Sequence, residues 1–307
     1  MNEIVFEITP EMEDERIDKC ISAFIDSLSR SYIQKIIKDE NVYVNEKTVK
    51  ANYKVKVEDV VRFVLPDNIE PDIPPQDIPL DIIYEDKDVL IVNKPKDMVV
   101  HPAPGHYEGT LVNAVMFHCK EDLSGINGVM RPGIVHRIDK DTTGSLIICK
   151  NDESHNSIAE QLKIHSITRK YRAIVFGNVK NDEGTINAPI GRHPNDRKKM
   201  AINERNGKPA VTHYRVLERF DKYTYIECQL ETGRTHQIRV HMSSIGHPLI
   251  GDSVYTSQKA PFHLEGQTLH AMTIGFEHPT LHKYMEFEAP LPDYFEKLLN
   301  VMRNSKK

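Results

Sequence analysis

The stretch GIVHRIDKDTTGSLIICK, residues 133–150, places His136, Arg137, Asp139 and Lys140 close together between two apolar segments, Ile134-Val135 and Leu146 to Cys149. Apolar segments of that kind predict strands running into a core, with the polar residues turned outward and Thr142-Thr143-Gly144 forming the bend. Asp139 then stands at the mouth of a cleft. A carboxylate beside Arg137 and Lys140 ionises readily and can act as nucleophile or base without a metal. Asp141 is two positions away, and either aspartate can instead accept the hydrogen bonds of a turn. Spacing alone does not choose between them.

Two further segments carry reactive or binding side chains. TRKYRAIV, residues 168–175, sets Tyr171 at the start of a predicted strand among Arg169, Lys170 and Arg172. A tyrosine there is a core or rim residue or, ringed by cations, a surface on which a nucleobase stacks. LETGRTHQIRVHMSSIGHPLIGD, residues 230–252, passes from a strand through a turn at Gly233 into a helix with Ile238, His241, Met242 and Ile245 on one buried face. Arg239 falls in the first turns of that helix. A cation gains nothing from the dipole there, so an anionic partner is predicted, either a carboxylate or a phosphate. No G-x-G-x-x-G follows a strand, and neither G-x-x-x-x-G-K-[ST] nor H-E-x-x-H occurs. His236/His241 and His278/His282 are closely spaced but lack a carboxylate or thiolate placed to complete a site, so no metal and no cofactor are expected.

The elements that must hold these residues follow from the rest of the chain. Its 307 residues suffice for two domains. Residues 66–79 contain Pro66, Pro71, Pro74, Pro75 and Pro79 among acidic residues and predict an interdomain linker. Ahead of it, residues 1–65 read as a small α/β module. Ile17, Ile21, Phe24 and Ile25 mark one helix, Tyr32, Ile33, Ile36 and Ile37 a second, and NVYVNEKTV and EDVVRFVL read as strands. Beyond the linker, residues 80–307 are strand-rich: DVLIVNKP, YRAIVFGNV, AVTHYRVLERF and YTYIECQLE read as strands, several in direct succession. Strands without crossover helices between them predict an α+β fold with a mixed, mainly antiparallel sheet flanked by helices. GTLVNAVMFHC and PDYFEKLLNVMR read as helices.

Charge distribution qualifies the average. The net charge is −5, which by itself disfavours a nucleic-acid partner. Residues 66–89 carry eight acidic residues against Lys87 alone, whereas residues 192–208 carry Arg192, Arg197, Lys198, Lys199, Arg205 and Lys208 against Asp196 and Glu204. A basic loop therefore survives inside an acidic average; standing alone it is a solvated surface. The N-terminus is acidic and no apolar run approaches bilayer length, so a cytoplasmic protein is expected. The cysteines Cys20, Cys119, Cys149 and Cys228 are far apart in sequence and suit a reducing compartment.

The N-terminal module resembles the S4 RNA-binding domain through Ser29-Arg30 at the start of its second helix, Lys35 and Lys38 along it, and Val42-Tyr43-Val44-Asn45. The larger part resembles the RluA family of pseudouridine synthases. Its HRID, KYRA and GRTHQIRVH segments carry the likeness, which extends through VLIVNKP, HPAPGH, RHP, GKPAVTHYRV and HPLIGDSVY. Ile138 stands where leucine is usual, and Ser145 where a larger apolar residue is common. The resemblance implies the pseudouridine synthase fold, with Asp139 as the catalytic aspartate, Tyr171 as the ring against the target uracil and Arg239 as the partner that orients the aspartate. Arg137 would fill the space left by the extruded base. RNA contacts are expected from Arg137, His136, Lys170, Arg192, His193, Lys198, Lys199, Lys208, Arg234 and His236, and from Arg30 and Lys35 of the S4-like module. The implied substrate is a uridine in a hairpin loop of large-subunit ribosomal RNA, free or in a pre-ribosomal particle. Neither DNA nor a membrane is an expected partner, and a monomer is expected. A noncatalytic RNA-binding assembly factor and a tRNA-directed enzyme of the same chemistry are the competing expectations.

Overall fold

A computed structural model describes residues 2–24, 30–65, 73–102, 108–120, 122–125, 132–196, 199–259 and 261–305. Contacts divide the chain into two units, Met1–Asp72 and Ile73–Lys307.

In the first unit, β1 (Asn2–Glu7) is followed by α1 (Ile17–Phe24), α2 (Arg30–Lys38), β2 (Val42–Val44), β3 (Lys47–Thr48) and β4 (Val60–Leu65). The sheet order is β1-β4-β2-β3, all antiparallel. Both helices place apolar residues at helical spacing, and Ile17, Ile21, Ile33, Ile36 and Ile37 bury against Phe6, Val42, Val44, Val61 and Phe63 of the sheet. Asp18, fully buried on α1, is satisfied by the Arg16 fork at 3.0 Å and by Gln34 Nε2 at 2.6 Å. The strand β1 was not expected. Its alternation of Ile4, Phe6 and Ile8 with Glu3, Val5 and Glu7 is masked by the acidity of the segment.

The second unit contains β5 (Ile82–Glu85), β6 (Val89–Lys94), α3 (Leu111–Cys119), β7 (Thr143–Cys149), α4 (Asp152–Lys163), β8 (Thr168–Phe176), β9 (Glu183–Asn187), β10 (Ile190–Arg192), β11 (Met200–Ile202), β12 (Val211–Arg219), β13 (Tyr223–Leu230), α5 (Gln237–Ser244), β14 (Leu269–Glu277), β15 (Tyr284–Glu288) and α6 (Asp293–Asn304). The main sheet runs β5-β6-β7-β14-β8-β13-β12-β9, with β15 also on β14. Among the described strands only β7 with β14 is parallel, so the sheet is mixed and mainly antiparallel. One face buries the core that includes Leu90, Val92, Leu146, Tyr171, Ala173, Ile226, Cys228, Ile238 and Met242. The residues Ile73 to Pro79, read as linker from their prolines, belong to this unit. Ile73 is buried in its core, and the Pro74 carbonyl accepts from Asn113 Nδ2 at 2.9 Å.

Two features near Asp139 differ from the sequence expectation. Ile134-Val135 is not a strand; a single bridge joins Ile134 to Ile148, and residues 135–139 are irregular. The bend ends earlier than expected, because Thr143 and Gly144 already belong to β7. Gly144 is required there. It adopts φ +110, and a Cβ would meet the Ala271 carbonyl oxygen of β14 closely enough to push the two parallel strands apart.

Candidate active site

The irregular segment from Ile134 to Thr142 is fixed from several sides. His136 Nε2 accepts from the Ile147 amide at 3.0 Å, and Thr142 N donates to the Asp139 carbonyl at 3.0 Å. Gln267 Nε2 donates to Thr142 Oγ1 at 3.1 Å. Thr143 Oγ1 lies 2.8 Å from His270 Nδ1, whose Nε2 meets the Ala289 carbonyl at 3.1 Å. A carbonyl only accepts, so Nε2 of His270 carries the proton and Nδ1 accepts from the threonine hydroxyl. Ser145, where a larger apolar residue is common, donates to the Ala271 carbonyl at 3.0 Å and so adds a cross-strand bond that an apolar residue would lack.

Lys94 ends β6 with no solvent exposure, and its Nζ donates to the carbonyls of Pro95 at 2.7 Å, Met98 at 2.7 Å and Lys140 at 3.0 Å. Burial pushes its pKa down to about 7, opposed by the charges of Asp141, Asp139 and Asp97. Only the ammonium form can satisfy all three carbonyls at once. The lysine thereby ties the residue after Asp139 to the central sheet.

Asp139 faces Arg239, which is 5% exposed on α5. Arg239 Nη1 donates to Asp139 Oδ2 at 2.9 Å, while Nε and Nη2 form a fork onto Asp252 at 2.7 and 3.0 Å. Asp252 is 1% exposed and also accepts the amides of Val254 and Tyr255 at 3.0 and 3.2 Å. Burial works against the Arg239 charge, but the bonds and charge of Asp252, with those of Asp139, outweigh it and raise the guanidinium pKa above the ordinary arginine value. The cation near the start of a helix thus has two anionic partners. Asp141 takes no part in this: it packs against Gly266.

His236 adjoins this group. It adopts φ 58 at the start of α5, and its Nδ1 lies 2.8 Å from Tyr255 Oη, which accepts from the Met200 amide at 2.9 Å. The tyrosine proton is therefore directed at Nδ1, which leaves the proton of neutral His236 on Nε2, 3.8 Å from Asp139 Oδ1. Burial lowers the His236 pKa, against the pull of Asp139. Tyr171, 8% exposed on β8, lines the same cleft of about 60 Å³ with Arg137, Asp139, Arg234, His236 and Arg239, closed by Ile138, Leu230, Ile238 and Leu269. Burial raises the Tyr171 pKa, so its phenol stays neutral. A planar ring, an aspartate with a fixed arginine and a wall of mixed polar and apolar side chains can hold a flat polar ring beside a carboxylate.

The other expected contacts separate into several groups. Arg137 is exposed at the cleft, with Nη1 3.0 Å from His101 Nε2, and Arg234 donates Nε to the Pro209 carbonyl at 3.0 Å. Both stay beside Asp139. His136 is committed to the backbone, and burial with the charge of Arg169 lowers its pKa to about 3. Lys170 lies on the opposite face of β8 from Tyr171, as does Arg172, which pairs with Glu227 at 2.9 Å. The expected ring of cations around Tyr171 therefore reduces to Arg169. The basic loop is a hairpin, β10 with β11. Arg192 ends β10, His193 and Lys199 lie in its turn, and Lys208 pairs by backbone with Ile190. Lys198 lies outside the described residues. Arg30 and Lys35 lie on α2, with side chains outside the described set.

Asp252, Tyr255 and Lys94 were not singled out from the sequence, although they stand in the HPLIGDSVY and VLIVNKP segments. The signal available for Lys94 was a cation closing an otherwise apolar strand.

Residues 88–244 match the family model described as RNA pseudouridylate synthase, and residues 15–61 match the S4 domain. The chain is 53% identical over 305 residues to the uncharacterized RNA pseudouridine synthase YlyB of Bacillus subtilis, covering 99% of this chain and 100% of that protein. It is 44% identical to ribosomal large subunit pseudouridine synthase D of Zymomonas mobilis, with 98% of each chain covered. The Escherichia coli K12 protein of the same name is 41% identical, over 94% of this chain and 91% of its own. Among solved structures, human RNA pseudouridylate synthase domain containing 1 superposes with a TM-score of 0.57 at 25% identity, covering 75% of this chain and 97% of that one. With the family motifs on one cleft and relatives matched nearly end to end, the chain belongs to the RNA pseudouridine synthases, as an isomerase that carries an S4 domain ahead of its catalytic unit.

Proposed function

We propose that the protein isomerises uridine to pseudouridine in hairpin loops of large-subunit ribosomal RNA, with Asp139 as the catalytic carboxylate. The observation that carries this reading is the fork of Arg239 between buried Asp252 and the cleft-facing Asp139, beside the Tyr171 ring. The names of the large-subunit relatives support the choice of RNA. The reaction exchanges an N-glycosidic for a C-glycosidic bond on one uridine, so the base detaches, turns and reattaches without leaving. Tyr171 supplies a face against which uracil turns, and Arg239 holds the carboxylate in one orientation as the base moves. Uracil departs as a delocalised anion, which N–H donors lining the cleft stabilise as its charge develops. Extruding a nucleotide costs a few kcal/mol, least where the uridine is already unpaired, which favours a loop. Arg137, at the cleft rim, is placed to occupy the vacated position in the stack.

The expected roles divide between binding and chemistry. The S4 unit and the β10–β11 hairpin grip the RNA, and the cleft performs the chemistry. Mapping pseudouridine across ribosomal and transfer RNA in cells lacking the protein tests the substrate. Loss of particular large-subunit sites is the expected result; loss confined to transfer RNA would overturn it.

A further inference from the structure

We propose that the cavity next to the cleft, sharing Tyr171 with it, is a phosphodiester subsite in which Arg169 binds one backbone phosphate beside the extruded uridine. Arg169 lies two residues before Tyr171 on β8 and on the same face of the sheet. It is only 7% exposed. Its Nη2 donates to the Glu231 carbonyl at 3.1 Å, its Nε has no hydrogen-bond partner among the described residues, and no carboxylate there pairs with it. Nη1 sits against Gly233, where a Cβ would come within 2.6 Å, so the absence of a side chain at 233 makes room for the guanidinium.

The comparison with Arg239 is direct. That arginine is equally buried and has two carboxylates; among the described residues Arg169 has none. A buried guanidinium without an anion is costly, and the cost is offset when a ligand brings the missing charge. Arg169 lines a cavity of about 630 Å³ with Arg137, Lys163, His165 and Arg234, and no acidic residue among those described lines it. Lys163 is already paired with Glu160 at 2.9 Å. The charge offered to an occupant therefore comes first from Arg169, with Arg234 beside it, and planar guanidinium donors suit phosphate oxygens.

Location identifies the source of the phosphate. The cavity shares Arg137, Tyr171, Leu230 and Arg234 with the cleft that holds Asp139. Its occupant therefore lies next to the nucleoside site, and a nucleotide turned into that site brings a phosphate on either side. This assignment rests on the RNA-directed reading above, whereas the anion site itself does not.

Two measurements on the full-length protein test it. In thermal unfolding with millimolar phosphate against chloride at matched ionic strength, the wild-type midpoint rises saturably, and that rise disappears in Arg169→Met. In binding of an unmodified 23S rRNA transcript, Arg169→Met weakens the dissociation constant about tenfold at 0.1 M KCl and makes the log Kd against log salt slope shallower by about 0.7 to 0.9, the value of one phosphate contact. A phosphate shift retained in the variant, or a salt slope equal to the wild type, would overturn the proposal. If Arg169→Met does not fold, Arg169→Lys carries the comparison, since an ammonium lacks the fork. A smaller phosphate shift than wild type supports the subsite, and an equal one overturns it. Failure of the ribosomal RNA reading registers separately, as wild-type protein that leaves the transcript's uridines unmodified.

Discussion

Replacing Asp252 with asparagine asks whether Arg239 is held from behind so that it can hold Asp139 in front. Asp252 is 1% exposed and accepts four hydrogen bonds, two from the Arg239 fork and two from the amides of Val254 and Tyr255. Asparagine keeps the shape but offers one oxygen in place of two, so its amide hydrogens must face donors on one side. Arg239, itself 5% exposed, keeps Asp139 but loses the negative charge at position 252 and the acceptor of its Nε. Breaking a buried ion pair from one side costs about 3–5 kcal/mol. For a unit of this size each kcal/mol moves the unfolding midpoint by about 2–4 °C, so a fall on the order of 10 °C is expected. The chemical step suffers as well. Once Arg239 can shift by an ångström, Asp139 shifts with it, and misplacement on that scale costs about 100-fold in rate. The assay pairs thermal unfolding with single-turnover tritium release from 23S rRNA labelled at uridine C5, the position that loses its hydrogen when the C-glycosidic bond forms. A variant whose midpoint stays within about 2 °C and whose rate stays within about threefold would show that Asp252 does not position Arg239, and the reasoning would fail.

Three other perturbations follow from the same geometry. His136 has its pKa lowered to about 3 from the ordinary 6.5. Between those values the unfolded chain takes up a proton that the folded chain refuses, so this contribution is complete above pH 6.5 and is lost as the pH falls towards 3. Urea unfolding at pH 7 and pH 5 should show wild type losing about 2 kcal/mol more than His136→Gln, and equal losses would contradict the burial argument. Gly144→Ala forces a Cβ into the Ala271 carbonyl at φ +110; destabilisation above about 2 kcal/mol is expected, and a neutral effect in calorimetry would refute the close approach. Deleting residues 1–72 should weaken binding of the 23S transcript at least about tenfold at fixed salt, while the single-turnover rate at saturating protein stays within about threefold. An unchanged dissociation constant would remove the S4 unit from RNA binding.

What could be read from the sequence was local. The prediction that Arg239 needs an anion came from a cation in the first turns of a helix, and the mixed sheet came from strands that follow one another without crossovers. Long-range pairing was not legible. Asp139 and Asp141 look alike in HRIDKD and are distinguished only because Arg239, 100 positions away, reaches one of them. Asp252 lies beyond the end of α5, and nothing in its neighbours shows that it turns back onto Arg239. The strand expected at Ile134-Val135 failed because one bridge to Ile148, supported by His136, fixes that segment without a ladder. The cations around Tyr171 were read as a ring when β8 alternation sends Lys170 and Arg172 to the other face. The helix α4 has its local signal in Asn151, which caps it by accepting from the Ser154 amide at 2.8 Å.

The role assigned to Asp139 is tested most directly by Asp139→Asn acting on an unmodified 23S rRNA transcript, with pseudouridine mapped after a single turnover. Asp139 makes one 2.9 Å bond to Arg239 and is partly exposed, so the variant is expected to fold with stability changed by about 1 kcal/mol and to bind the transcript as wild type does. The account predicts no pseudouridine at any position that wild type modifies. Conversion at the wild-type rate by a folded, RNA-bound Asp139→Asn protein would contradict it.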